Sequence, residues 1–384
     1  MPSQLADRLR DIEPFLAMEV MERAFAMERE GRRVIHLEIG EPGFPAPPAA
    51  VEACRAALTR GETRYTDSRG LAELREAIAI DKSRRSGVAV DPEQVIVTSG
   101  TSPAMLLVFS LLVEAGDEVI LPTPHYPCYP NFIRYCGGTP VPVVCEAADG
   151  YRIRPDAVRR SLTDRTRAIV VGSPSNPTGA VQDQPTLREL AQLGVPLISD
   201  EIYDGLVYDG ARVISALEVS DEAFVLDGFS KRYAMTGFRL GYAIAPPECI
   251  RTLQILQQNL FISANHFVQR AGIAALEEGE ETVRMMRTAY DRRRRLLVDG
   301  LRELGFGVPE LPRGAFYVLA DARVFGSDSR QLAFDLLERS GVAATPGIDF
   351  GEAGEGFLRF CYAAAEEEIV EALEWLAPVL RELA

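Results

Sequence analysis

From about residue 94 to residue 245 the chain alternates short apolar runs with stretches in which apolar residues recur every three or four positions. The runs at 94–98, 118–121, 140–144, 167–172, 196–199, 223–227 and 239–245 are bounded by turn residues and predict strands. Most are apolar throughout rather than alternating, the pattern of a mostly parallel sheet covered by helices on both faces. Helical periodicity appears at 49–59, 71–85 and 103–114, and between most later strands. Upstream, residues 1–30 predict an arm and an amphipathic helix carrying Phe15, Met18, Val20 and Met21, ended at Gly31. Residues 34–39 predict a short strand, and Gly40 to Pro48 is too rich in Gly and Pro for anything but an ordered turn. Beyond 247 the chain turns helical, with a long amphipathic stretch at 280–304, strands near 315–320 and 356–360, and a last helix at 365–382. That predicts an α/β body with a smaller α+β unit. The expected division is an N-terminal arm with part of the small domain (1–46), a large domain (47–280) and a small C-terminal domain (281–384).

Composition narrows the partners. A net charge of −15 opposes binding to phosphate backbones or anionic lipid. The basic run Arg292 to Arg295 follows Asp291 in a helical segment and reads as a solvated face. No apolar run reaches the ~18 residues of a membrane span. The six cysteines are dispersed without a CxxC pair, and the three histidines lack metal-ligand spacing, so neither a disulfide framework nor a metal site is expected. The first residues show no leader pattern, and the expected location is cytoplasmic.

One number stands out. Of 41 basic residues only Lys82 and Lys231 are lysines. Guanidinium replaces ammonium on a surface but forms no imine with an aldehyde, so a retained lysine points to amine chemistry, unless codon bias alone explains the scarcity. Lys82 falls near the end of a helix without obvious partners and reads as solvated charge.

Ligands of open α/β sheets gather beyond the carboxyl ends of the strands, which singles out the residues just past each run. After 94–98 comes Ser99-Gly100-Thr101-Ser102 ahead of a helix, either an anion site at a helix N-terminus or an ordinary cap. After 167–172, Pro174 and Pro177 stiffen the chain around Asn176. After 196–199, Asp200 is a helix cap or a functional carboxylate, and Tyr203 would share the side of a following helical turn or sit in the core. After 223–227 come Ser230 and Lys231, with Arg239 eight residues on. Lys, Asp, Asn, Tyr and Arg after successive strands are the set that pyridoxal phosphate requires: an imine-forming amine, a carboxylate for the pyridine nitrogen, donors to the ring oxygen and a cation for the phosphate.

With Gly40-Glu41-Pro42, Arg64-Tyr65, Ser175 to Gly179, Ser230-Lys231 through Arg239, and Gly356 to Arg359, the chain resembles the class I/II aminotransferases of the fold-type I pyridoxal-phosphate superfamily over essentially its whole length. The resemblance implies an aspartate aminotransferase-like large domain, a mostly parallel seven-stranded sheet sandwiched by helices, with a smaller α+β domain built from both chain ends. It implies that Lys231 bonds the cofactor and moves the substrate proton, that Asp200 pairs with the ring nitrogen, and that Asn176 and Tyr203 bond the ring hydroxyl. Gly100, Thr101, Ser102, Ser230 and Arg239 then form the phosphate cup, and Tyr126 stacks on the ring. Tyr65 reaches the phosphate of a neighbouring subunit, giving a homodimer with shared sites, and Arg359 grips the substrate carboxylate near Gly40 and Asn176.

Three positions depart from the family pattern. Gly228 stands where several members have a serine, Tyr126 where aspartate-type members have tryptophan, and Ser102 where one aspartate-specific subgroup has a lysine reading the second carboxylate. The expected activity is ping-pong transamination between an L-amino acid and a 2-oxo acid, with aspartate, alanine, branched and aromatic donors all open. The rivals are a carbon–sulfur β-lyase on the same scaffold and, more remotely, a non-catalytic pyridoxal-phosphate-binding regulator.

Overall fold

The structure is a computed structural model that describes residue 6 and residues 9–383, so residues 1–5, 7 and 8 of the expected arm lie outside the described residues. Helix α1 (Leu16–Arg29) is followed by the two-residue strand β1 (Ile35–His36), shorter than the apolar run suggested. Helices α2 (Pro48–Thr59) and α3 (Ala72–Ser86) lead to β2 (Val95–Thr98) and α4 (Thr101–Leu112). Then come β3 (Glu118–Thr123), α5 (Cys128–Tyr135), β4 (Thr139–Val144), α6 (Pro155–Ser161), β5 (Thr166–Gly172), α7 (Gln184–Ala191), β6 (Leu197–Asp200), β7 (Phe224–Gly228) and β8 (Gly241–Ile244). Three helices come next, α8 (Pro247–Leu260), α9 (His266–Glu278) and α10 (Glu280–Glu303). The chain closes with β9 (Tyr317–Asp321), α11 (Ser329–Ser340), β10 (Val342–Ala343), β11 (Thr345–Pro346), β12 (Phe357–Cys361) and α12 (Glu366–Leu383).

The large sheet has seven strands in the order β2-β8-β7-β6-β5-β3-β4, all parallel except β8. Its strands divide their side chains between two cores, as the two-residue period of a strand requires. Val95, Val97, Ile169, Val171 and Val225 pack with Leu74 and Ile78 of α3 and Leu187 and Leu190 of α7 on one face. Ile96, Val119, Val170, Ile198 and Phe224 pack with α4 and α8 on the other. A third core joins Ile35 and Leu37 to Tyr290, Phe316, Phe360 and Leu376, so residues near both chain ends share one apolar interior. There β11 and β12 pair with β9 in a three-stranded antiparallel sheet, and β1 pairs with β10. The expected α/β class and mostly parallel seven-stranded sheet are present in the structure. No helix among the described residues is long and apolar enough to cross a membrane.

Two expectations about charge fail. Lys82 is not solvated: it is fully buried, with Glu201 at 2.5 Å, Asp227 at 3.3 Å and Asp204 at 3.6 Å. Within the run 292–295, Arg294 is also fully buried, paired with Asp209 at 2.8 Å and with Asp291, and donating to the Pro312 carbonyl at 2.6 Å. Burying these cations depends on carboxylates supplied by distant segments, which local sequence does not display.

Candidate active site

The register of the sheet brings the strand ends into one row. Gly172 lies opposite Asp200, Asp200 opposite Leu226, and Gly228 opposite Gly241, which also faces Thr98. Beyond that row is a cavity of about 270 Å³. Of the residues assigned a cofactor or substrate role by the resemblance, all line it except Gly100, next to the lining residue Thr101, and Tyr65, which is 84% exposed and outside it.

Backbones meet closely beneath the row. A Cβ at Gly228 would lie 2.9 Å from the Gly241 Cα, and one at Gly241 would lie 2.7 Å from the Thr101 nitrogen. Packing therefore excludes a serine at Gly228 in this chain. Gly100 has φ +96°, and a Cβ there would stand 2.6 Å from the Arg239 guanidinium. The bare backbone lets Arg239 lie across the start of α4, which begins at Thr101 rather than at 103, so the first-turn N–H groups, Ser102, Ser230 and Arg239 surround one anion-sized place.

Asp200 is buried at the tip of β6. Burial raises its carboxyl to about 6, opposed by the Tyr129 hydroxyl, which donates to Oδ2 at 2.6 Å, and by the Ile202 N–H at 3.2 Å. Tyr129, on α5, carried no signal in its own sequence context. Lys231 donates from Nζ to the Gly40 carbonyl at 2.5 Å, and burial brings its ammonium down to about 8, with Arg359 and Arg239 acting the same way. Gly40 packs against a second aromatic not anticipated from sequence: a Cβ there would lie 2.1 Å from the Tyr317 hydroxyl.

The segment after Asp200 is a turn, not the expected helix. Tyr203 still faces the cavity, and its hydroxyl meets that of Tyr317 at 2.8 Å. Tyr126 also lines the cavity and packs edge-on against Tyr129, ring centroids 5.3 Å apart.

Arg359, on β12, is 2% exposed. Its guanidinium donates to Asn176 Oδ1 at 2.9 Å, Thr345 Oγ1 at 3.0 Å and the Glu38 carbonyl at 2.5 Å, and lies against the rings of Tyr317 and Phe350. Its Nε is buried without a partner. Accepting from Arg359 leaves the Asn176 NH2 free to donate into the cavity. Phe15, just ahead of α1, and Met18 and Met21 in its first turns close the cavity, and Asp349 holds that end by accepting from the N–H groups of Leu16 at 2.9 Å and Ala17 at 3.2 Å.

A buried carboxylate for a ring nitrogen, an amine of lowered proton affinity, and a cup of N–H groups and guanidinium for an anion fit pyridoxal phosphate. The family profile described as aminotransferase class I and II matches residues 32–376. The chain is 42% identical over 375 residues to the (5-formylfuran-3-yl)methyl phosphate transaminase of Methanocaldococcus jannaschii, covering 96% of this chain and 98% of that one. It is 39% identical over 383 residues to the aspartate/prephenate aminotransferase of Thermus thermophilus, 98% of each chain. Among solved structures, the Thermus thermophilus aspartate aminotransferase with maleate superposes with a TM-score of 0.94 at 40% identity, covering 98% of this chain and 99% of that one.

Proposed function

We propose, for a chain that belongs to the class I and II aminotransferases and carries out pyridoxal-phosphate-dependent transamination between an L-amino acid and a 2-oxo acid, that the preferred amino donor has a bulky uncharged side chain. One observation carries this reading. The cations of the described cavity lining are Lys231, Arg239 and Arg359, and each has an assigned partner, whereas Phe15, Met18, Met21 and Met105 line it with apolar surface. A second substrate carboxylate would be desolvated there without a counter-charge, and an aromatic or long aliphatic group would gain roughly 25 cal/mol per Å² of apolar area buried.

Bound in this site, pyridoxal phosphate supplies an aldehyde for the amino group and a ring that accepts electrons from the substrate Cα. Arg359 orients the substrate by its carboxylate, with Asn176 and Gly40 beside it. Lys231, brought to about 8, is a free amine in an appreciable fraction of molecules near neutral pH and takes the Cα proton. Tyr129 keeps Asp200 able to hold a proton on the ring nitrogen by ion pairing. Gly100, Thr101, Ser102, Ser230 and Arg239 would hold the phosphate, Tyr126 would lie against the ring, and Tyr203 and Asn176 would donate to its oxygen. Phe15 and Met18 exclude water.

The assembly proposed is a homodimer in which Tyr65 enters the neighbouring site; its 84% exposure supports a role outside its own protomer. The six free cysteines agree with the reducing interior of a cell, where we place the protein. The test is a donor screen against pyruvate and 2-oxoglutarate. Phenylalanine, tyrosine, methionine or leucine should exceed aspartate in kcat/KM by tenfold or more, and aspartate ranking first would refute the preference.

A further inference from the structure

Lys82 belongs to a charge network that the transamination site leaves unused. Its ammonium, on α3, meets Glu201 and Asp204 from the turn after β6 and Asp227 from β7. Arg85, one turn further along α3, pairs with Asp81 at 2.7 Å and with Asp204, and reaches Asp227 and the Tyr242 hydroxyl, each at 3.2 Å. Tyr242 itself donates to Asp227 at 3.0 Å. Arg232 joins from the segment after Lys231, bonded to Glu280 at 2.8 Å and to the Tyr233 hydroxyl at 3.2 Å, its guanidinium occupying the space a Cβ would need at Gly205. With the exposed Arg84, which pairs with Asp81 at 2.8 Å, and the exposed Glu280 set aside, the network holds three cations (Lys82, Arg85 and Arg232, the last acting on Asp204 and Asp81 through its charge) and four carboxylates (Asp81, Glu201, Asp204, Asp227).

The members adjoin the chemistry covalently. Glu201 follows Asp200, and Arg232 follows Lys231. Glu201 Oε1 is fixed by Ser199 at 2.9 Å, Ser215 at 3.1 Å and the Ala216 N–H at 2.9 Å, leaving Oε2 to Lys82. Asp227 accepts the Gly228 N–H at 2.7 Å, the first link of the loop to Lys231. We infer that Lys82 is a positioning residue: by drawing Glu201, Asp204 and Asp227 together it fixes the two strand ends that carry Asp200 and Lys231, and it sets the charge beneath them.

A compact ammonium suits this place because it offers three donors to three carboxylates where Arg85 already fills the remaining space. Stability alone accounts poorly for such a network, since well-packed apolar residues hold a buried site at least as well as ion pairs do. Charge does reach the site: Asp227 and Glu201 both push Asp200 toward its protonated form, behind the larger effect of its burial. Burial presses Lys82 itself toward neutrality, and Glu201, Asp227 and Asp204 outweigh it, so the cation persists.

The inference rests on Asp200 and Lys231 being the cofactor's partners, and the experiment separates the two. Loaded wild-type enzyme, Lys82→Met, Glu201→Gln and the double variant are titrated by absorbance, following the pH midpoint of the lysine-bound cofactor band. Losing the cation favours protonated groups above it, so Lys82→Met raises the midpoint by on the order of one pH unit. Glu201→Gln lowers it, and the double variant, whose net charge matches wild type, returns to the wild-type midpoint. Opposite signs with restoration support the positioning role. Unmoved midpoints alongside a fall in melting temperature overturn it, as does a double variant that fails to restore the midpoint. If Lys82→Met does not fold, the Glu201→Gln shift and its reversal in the double variant decide alone. A wild-type enzyme with no lysine-bound band overturns the Lys231 assignment instead.

Discussion

Replacing Tyr129 by phenylalanine removes one hydroxyl and tests the electrostatics of Asp200 directly. That hydroxyl donates to Asp200 Oδ2 at 2.6 Å and is the main influence opposing burial, which has raised the carboxyl from 3.8 to about 6. A hydrogen bond to a charged group is worth about 1.5–3 kcal/mol, and one to a neutral group about 1, so the ionised form loses about 0.5–2 kcal/mol more than the protonated form. At 1.36 kcal/mol per unit, the Asp200 carboxyl of cofactor-free protein moves up by roughly one unit. A carboxyl with raised folded-state proton affinity contributes stability that is fully present below the unfolded value and is lost as pH rises through the folded value, here between about 4 and 6. Removing Tyr129 extends that loss toward pH 7. Urea unfolding of the cofactor-free proteins at pH 4.5 and 8 should therefore show Tyr129→Phe destabilised by about 0.5–2 kcal/mol more at pH 8. Groups such as Asp349 titrate alike in both proteins and cancel. A difference between variant and wild type that is flat across pH would refute the coupling.

Lys231→Ala should abolish the lysine-bound cofactor band, while Lys82→Met should keep one; a surviving band in the first variant would remove Lys231 from its role. Arg359→Lys keeps the charge but loses the planar fork set between Tyr317 and Phe350, and should raise KM for both substrates by about 10–100-fold, with unchanged KM counting against substrate-carboxylate binding. Burial raises Asp349 to about 6 despite the Leu16 and Ala17 N–H groups, so its contribution too is lost as pH rises through 6. Asp349→Asn should gain on wild type by on the order of 3 kcal/mol between pH 4 and pH 8, and equal pH dependence in urea unfolding would contradict that.

The inner strands of the large sheet were legible because burial on both faces leaves continuous apolar runs, and the cavity lies at their ends. The site residues that were read from sequence come directly after those ends: Asp200 at the tip of β6, Asn176 beyond β5, Lys231 beyond β7. Tyr129 and Tyr317 were not legible. Tyr129 sits in a short helix amid other aromatics, and Tyr317 opens a strand whose apolar sequence looks like core. Each acquires its role only when a distant segment delivers a partner, Asp200 in one case and Tyr203 with Gly40 in the other. Strands β10 and β11 are two residues each, too short for any periodicity.

The second lysine is the instructive failure, because a signal was present. Leu74, Ile78, Lys82 and Arg85 fall at helical spacing along one stripe of α3, and Asp81 lies beside it. The stripe begins apolar, packed with Val95 and Val97, and continues as charge without leaving the interior. A helix whose buried face turns ionic must find opposite charge inside the protein. Asp227, within an otherwise apolar strand, and Glu201, just past the end of another, are acidic residues where burial is expected. Carboxylates at adjacent strand ends and a charged continuation of a core stripe predict each other. Neither lysine of this arginine-rich chain, then, stands for general surface charge: Lys231 lines the cavity at the strand ends, and Lys82 is where a cation small enough to be enclosed by three carboxylates must fit.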